Sequence, residues 1–383
     1  MKIGLLWKTP NLGMYSNKSF DELFSQVGHN NGNLAFVHSI MNQIDAEFIP
    51  FAWGTPAAVV NEQVDMVVFP GANQLGKHTD LGGLADNMSK YDKPVIAIGL
   101  GAQADDFGRD IELKEGTRAW LDCLIENGKR FGVQNIYTRG PFTTEQIKKL
   151  TGVDTFSNGC PSHFLSENPN LGKALEANWN STPLPKRVAV AGGHESWGHV
   201  RTIEQQLVAM MMDVQYPGVY VVQSMADMVK ISRGDFDAIE PEKLEQIRKH
   251  IMPHYSIEEF KTWANNYARS YYDIYAWMDD MRRHDLLIGP RFHGAQLALQ
   301  AERMACCITI DSRTEEMCRE TGVPFLRAAD LDRPLTRATV REMIKFDGAA
   351  YDAYRAMKAG RYVNFLQEAG LKPAAFLHKI ASA

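Results

Sequence analysis

VDMVVFPG at 64–71 and KPVIAIGLG at 93–101 decide the fold class. Each is a short apolar run that ends in glycine, and between them LGGLADNMSKY at 81–91 has helical spacing. A strand, a helix and a second strand within about forty residues is the signature of a βαβ unit on a parallel sheet. Outward from this pair the scheme continues. MKIGLLW at 1–7 and QNIYTRG at 134–140 read as further strands, while 34–44, 117–131 and 143–152 read as helices. In sheets of this kind, ligand-binding loops lie beyond the carboxyl ends of the strands.

The pattern breaks at NWNSTPLPKR, 178–187, where two prolines and several small polar residues precede a fresh strand signal, RVAVAGG at 187–193. The predicted organisation is an N-terminal domain over 1–184, a C-terminal domain over 185–345 and a helical segment over 346–383 that packs back on the first domain. In the second domain GVYVVQS at 218–224, DLLIGP at 285–290 and CCITID at 306–311 are strand-like. Ser256 and Glu259 have capping-box spacing, which predicts a long helix from there to about His284. The aromatic residues of that helix read as core or interface packing.

Composition narrows the function classes. A chain of 383 residues exceeds the size at which one core keeps growing, which favours two domains. The 41 basic and 46 acidic side chains give a formal charge of −5, so no global attraction to nucleic acid or anionic membrane is expected and anion binding must be local. Five cysteines, two of them adjacent at Cys306 and Cys307, suit neither a disulfide framework nor a zinc site, and reduced thiols in the cytoplasm are expected. No apolar run approaches the roughly 20 residues of a membrane-spanning helix.

The chemistry is concentrated in DLLIGPRFHGAQLALQ, 285–300, which reads as strand, loop and helix. A helix start of this kind favours an anion. Arg291 can make a forked contact to carboxylate or phosphate, and His293 can move a proton near neutral pH. The competing reading pairs Arg291 with a structural carboxylate and packs His293 in an interface.

The Arg291-x-His293-Gly294 element, with the apolar helix and strand that follow it, resembles the polysaccharide pyruvyl transferase family. The likeness extends upstream. Asn30-x-Gly32-Asn33 resembles the family's amino-terminal Asn-x-Gly-Asp/Asn loop, VDMVVFPG and KPVIAIGLG its glycine-rich strand ends, and IYTRGPFTTEQIKKLTG at 136–152 its Arg-Gly/Asp-Pro segment. Three places depart from the family pattern. Gly159-Cys160-Pro161 stands for Gly-Asp-Pro, the glycine cluster is thinned to Pro70-Gly71-Ala72-Asn73, and Gly289 replaces a common serine or threonine.

The resemblance implies an α/β fold of two Rossmann-like domains facing across a cleft, as in GT-B glycosyltransferases, with the acceptor on the first domain and the donor on the second. It implies phosphoenolpyruvate as co-substrate, with no further cofactor, and a saccharide acceptor that is free or lipid-linked; the lack of a plausible ligand set predicts no metal, and the charge balance no nucleic acid. His293 and Arg291 are the catalytic candidates. Arg139, Arg291, His293, Gly294 and His194 are candidate donor contacts, and Asn30, Gly32 and Asn33 candidate acceptor contacts. Each has a plainer reading: Arg139 as a strand-end pairing, and the Asn30–Asn33 loop as a tight turn.

GGHESWGH at 192–199 groups His194, Glu195 and His199, but its spacing is not that of a helical zinc motif. His163 in CPSHF lies near the same inferred cleft, with packing as the alternative. Two other functions stay open on the sequence: a nucleotide-sugar glycosyltransferase of the same architecture, and a catalytically silent member that binds a glycan or a protein.

Overall fold

The strand runs named above do form strands, in two separate all-parallel sheets of a computed structural model that describes residues 1–7, 18–104, 109–194 and 198–383. The first sheet holds β1 (Lys2–Leu5), β2 (Glu47–Pro50), β3 (Met66–Pro70), β4 (Val95–Leu100), β5 (Ile136–Thr138) and β6 (Phe156–Ser157). Their spatial order is β2-β1-β3-β4-β5-β6. The second holds β7 (Val188–Ala191), β8 (Val219–Val221), β9 (Ala268–Arg269), β10 (Leu286–Gly289), β11 (Met304–Thr309) and β12 (Phe325–Arg327), in the order β12-β11-β10-β7-β8-β9. Counted within its own unit the second order is 3-2-1-4-5-6, the Rossmann arrangement, and the first is the flavodoxin-like 2-1-3-4-5 with one strand added.

Apolar residues explain the central strands. Every residue of β3 and β4 is buried, as expected where helices cover both faces of a parallel sheet. Full burial of a Val, Ile or Phe side chain contributes about 1.5–3 kcal/mol, enough to offset the roughly 1–2 kcal/mol of backbone entropy lost per residue. Trp120, on the helix Glu115–Phe131, packs on Phe69 of β3 with ring centroids 5.1 Å apart. That helix ends where Gly132 adopts φ 66°, a left-handed conformation that glycine takes without penalty, and Lys129 and Arg130 lie in its last turn.

The described residues divide into two units that do not coincide with the sequence-based domains. The first unit holds 1–7, 36–169 and 353–383; the second holds 18–35 and 170–352. Hydrogen bonds account for both differences. The helix Leu171–Asn180, ahead of the proline-rich break, is bound into the second unit because Gly172 N–H donates to Asp352 and Asn178 Nδ2 to the Glu302 carbonyl. Residues 30–31 join it because Asn31 N–H donates to the Gln223 carbonyl at 2.7 Å and Asn30 bridges to Ser224.

The segment 353–383 belongs to the first unit. Buried Arg355 donates to the carbonyls of His163, Ser166 and Asn168. Buried Tyr362 meets Tyr137 edge-on at 5.2 Å, and Phe365 stacks on Phe156 at 4.8 Å.

The predicted long helix is instead two helices, Ile257–Tyr267 and Ile274–Met281. The capping box of Ser256 and Glu259 forms as expected. Between the helices, Ala268 and Arg269 leave helical geometry to become β9 and pair with β8, and Asp273 then caps the second helix. Strand pairing at the sheet edge has overridden helical periodicity. Among the described residues, no helix is long and apolar enough to cross a membrane.

Candidate active site at the end of the second sheet

β7 and β10 are neighbours, yet the chain leaves them toward opposite sides of the sheet, so their carboxyl ends form a topological switch point. Glycine permits the close approach there. A Cβ on Gly289 would lie 2.2 Å from the Ala191 carbonyl oxygen. After Pro290, Arg291 is the N-cap of the helix Phe292–Gln300, with no side chain capping the helix.

The loop after β7 orients Arg291. Its Nε donates to the Gly192 carbonyl at 3.3 Å and its Nη2 to the Gly193 carbonyl at 3.1 Å. The same loop is anchored from below: Gly193 N–H donates to the Glu204 carboxylate at 3.0 Å and 3.2 Å, and Tyr220 Oη donates to Glu204 at 2.5 Å. Gly192 must be small, because a Cβ there would lie 2.6 Å from the Tyr220 ring. Burial pushes the Glu204 carboxyl above the ordinary glutamate range, while the Tyr220 and Gly193 hydrogen bonds and the Arg291 charge pull it back.

His293 is 9% exposed in the first turn of the helix and lies edge-on to Phe292 at 5.3 Å. Its Nδ1 faces the loop of residues 30–33, where a Cβ on Gly32 would meet it at 3.0 Å and Gln223 Oε1 at 2.9 Å. Gly32 N–H donates to Asn30 Oδ1 at 2.9 Å, and Asn33 Nδ2 to the Val27 carbonyl at 3.0 Å, which fixes the turn. Gly294 faces the other end of the same glutamine, with a Cβ there 2.9 Å from Gln223 Nε2.

Seven of the eight predicted site residues therefore fall in the second unit: Arg291, His293, Gly294, Asn30, Gly32 and Asn33, described above, and half-buried His194, which follows Gly193. Arg139 lies in the first unit. It is 5% exposed, donates to the carbonyls of Gly99 at 2.7 Å and Gly71 at 2.8 Å, and lies over the Phe36 ring at 4.7 Å. Those contacts join the ends of β3 and β4, so its visible role is the strand-end pairing. His163 is buried in the first unit; burial, then the Arg355 and Lys358 charges, hold its pKa well below the usual value, so it is neutral.

Glu195 and the side chain of His199 lie outside the described residues. Among the described residues, no three His, Cys, Asp or Glu side chains are grouped as metal ligands. Sequence reasoning missed Glu204, Tyr220 and Gln223. Gln223 carried one signal, its place directly beyond the strand GVYVV; Glu204 reads as an ordinary helix-surface glutamate.

A family model described as polysaccharide pyruvyl transferase matches residues 8–312 of the chain. Among solved structures, that of the wall teichoic acid polymerase TagF is similar, with 12% identity and a TM-score of 0.35, covering 100% of this chain and 89% of that one. No curated protein matches the chain.

Proposed function

The chain belongs to the polysaccharide pyruvyl transferase family, and from that premise we propose that it moves the pyruvyl group of phosphoenolpyruvate onto two hydroxyls of one sugar, forming a cyclic ketal and releasing phosphate. The observation that carries this reading is the pairing of Arg291 and His293 at the start of one helix, at the switch point of a Rossmann-order sheet.

The donor is a carboxylate and a phosphate ester on one small carbon frame. A helix start and an oriented guanidinium suit such an anion, and the Gly192 and Gly193 carbonyls hold Arg291 in place before a ligand arrives. In the proposed reaction the donor's methylene carbon takes a proton and becomes the methyl group. Each sugar oxygen bonds to the adjacent carbon, and the bond from that carbon to the phosphate oxygen breaks. Of the two hydroxyl protons, one is matched by the new methyl hydrogen and the other leaves with phosphate. In this reading His293, which can take up and release a proton near neutral pH, transfers them. Gly294 and His194 complete the donor side. The loop of Asn30, Gly32 and Asn33 meets His293 at Gly32, and in this reading it shapes the acceptor side; Arg139 supports the first sheet.

Phosphoenolpyruvate serves as co-substrate with no cofactor, and a cytoplasmic location, at the membrane face if the acceptor is lipid-linked, belongs to the same reading. The test is a thermal-shift comparison of phosphoenolpyruvate with nucleotide sugars, because a ligand that binds only the folded state raises its stability. Phosphoenolpyruvate is expected to raise the melting temperature and nucleotide sugars to leave it unchanged. The reverse result would establish the glycosyltransferase alternative.

A further inference from the structure

Gln223 lies between the two glycine-bearing motifs of the site. It follows β8, its backbone carbonyl accepts from Asn31 N–H at 2.7 Å, and it is 3% exposed. One end of its carboxamide lies against Gly32, on the side that His293 Nδ1 also faces, and the other against Gly294 in the first turn of the helix Phe292–Gln300. A Cβ at either glycine would come within 2.9 Å of the carboxamide, so a larger residue there would displace it.

Its Nε2 has no hydrogen-bond partner among the described residues although it is buried. A buried amide N–H without an acceptor is costly and uncommon in native proteins. A hydrocarbon side chain of similar length would fill the same space at no such cost. The arrangement makes sense if an acceptor arrives with the ligand.

We propose that Gln223 Nε2 donates to an anionic oxygen, carboxylate or phosphate, of the donor substrate at the start of this helix. The proposal rests on the donor-site reading given above. It adds a neutral donor to the cation of Arg291: an oxygen held between the two is recognised by direction as well as by charge. Substrates lacking that oxygen leave the amide without a partner and are rejected.

Calorimetric titration of phosphoenolpyruvate, inorganic phosphate and pyruvate into the whole chain and its Gln223→Met and Gln223→Glu variants tests this. Gln223→Met is expected to weaken phosphoenolpyruvate binding about tenfold or more, as for a lost hydrogen bond to a charged group, with the melting temperature unchanged or raised. Gln223→Glu is expected to weaken it further, because the new carboxylate repels the anion. Whichever fragment, phosphate or pyruvate, loses affinity in Gln223→Met identifies the oxygen.

Unaltered phosphoenolpyruvate affinity in a stable Gln223→Met protein overturns the proposal and leaves the donor-site reading standing. Failure of the unaltered chain to bind any of the three ligands overturns both. Should the variants not fold, the side-chain amide signals of Gln223 in the isotope-labelled natural chain decide: they shift on adding phosphoenolpyruvate if the proposal holds, and stay in place if it does not.

Discussion

Arg291 and His293 are one residue apart, but a permanent cation and a titrating ring should fail differently. Arg291→Ala is expected to weaken phosphoenolpyruvate binding by about 2–3 kcal/mol, the scale of a charge-assisted hydrogen bond. Lysine should restore little of it, because an ammonium cannot make the forked contacts to Gly192 and Gly193. His293→Ala should keep donor affinity while turnover falls by roughly two to four orders of magnitude. Calorimetry and steady-state kinetics on each variant separate the two. At this scale the sequence was readable where the site is contiguous: Arg291, His293 and Gly294 sit in one motif. Glu204, Tyr220 and Gln223 come from other strands and helices, and a pattern search along the chain has no reason to join them.

Elements fail where backbones meet. Gly289→Ala would drive a methyl group into the Ala191 carbonyl of the adjoining strand, and backbone cannot yield as a flexible side chain can. A loss of about 1–3 kcal/mol is expected by urea unfolding. Gly54→Ala, which meets nothing within 4 Å, is the control and should stay within about 0.5 kcal/mol of the natural chain.

A second test concerns the edge strand β12. Arg327 at its end donates to Glu315 of the helix Ser312–Thr321 at 2.6 Å and 2.8 Å, and Arg319 adds its own contacts. Arg327, then Arg319, hold the Glu315 carboxyl down at about 2, against an ordinary value of 4.5. Because the folded value is the lower one, the pair stabilises the fold above the ordinary value and loses that contribution as pH falls toward about 2. Glu315→Gln should therefore be less stable than the natural chain at neutral pH, with the gap closing over that acid range in denaturant titrations. Central strands announced themselves by apolar runs. The edges β2, β6, β9 and β12 are short and only partly buried, and carry too little apolar sequence to stand out. For the same reason β9 was hidden inside an apparently continuous helix.

The whole chain alternates between its two units in five segments, and the proline-rich break at 178–187 marks none of the boundaries. Composition reports where chain is exposed; it does not report which surface a segment returns to. Truncation after Asp352 should expose Tyr137, Phe164 and the carbonyls that Arg355 satisfies. The expected outcome is loss of the cooperative melting transition of the first unit while the second, complete by then, keeps its own. Calorimetric scanning resolves the two. A single unaltered transition would mean that 353–383 contributes nothing to folding.

This interleaving also sets an order of events during synthesis. The unit that begins the chain cannot be finished until 353–383 has left the ribosome, whereas every segment of the other unit has emerged by Asp352. At about 5–20 residues per second the difference is roughly two to six seconds. For that interval the amino-terminal sheet waits without the Tyr362 and Phe365 rings that pack on Tyr137 and Phe156, apolar surface far upstream of the residues still being translated.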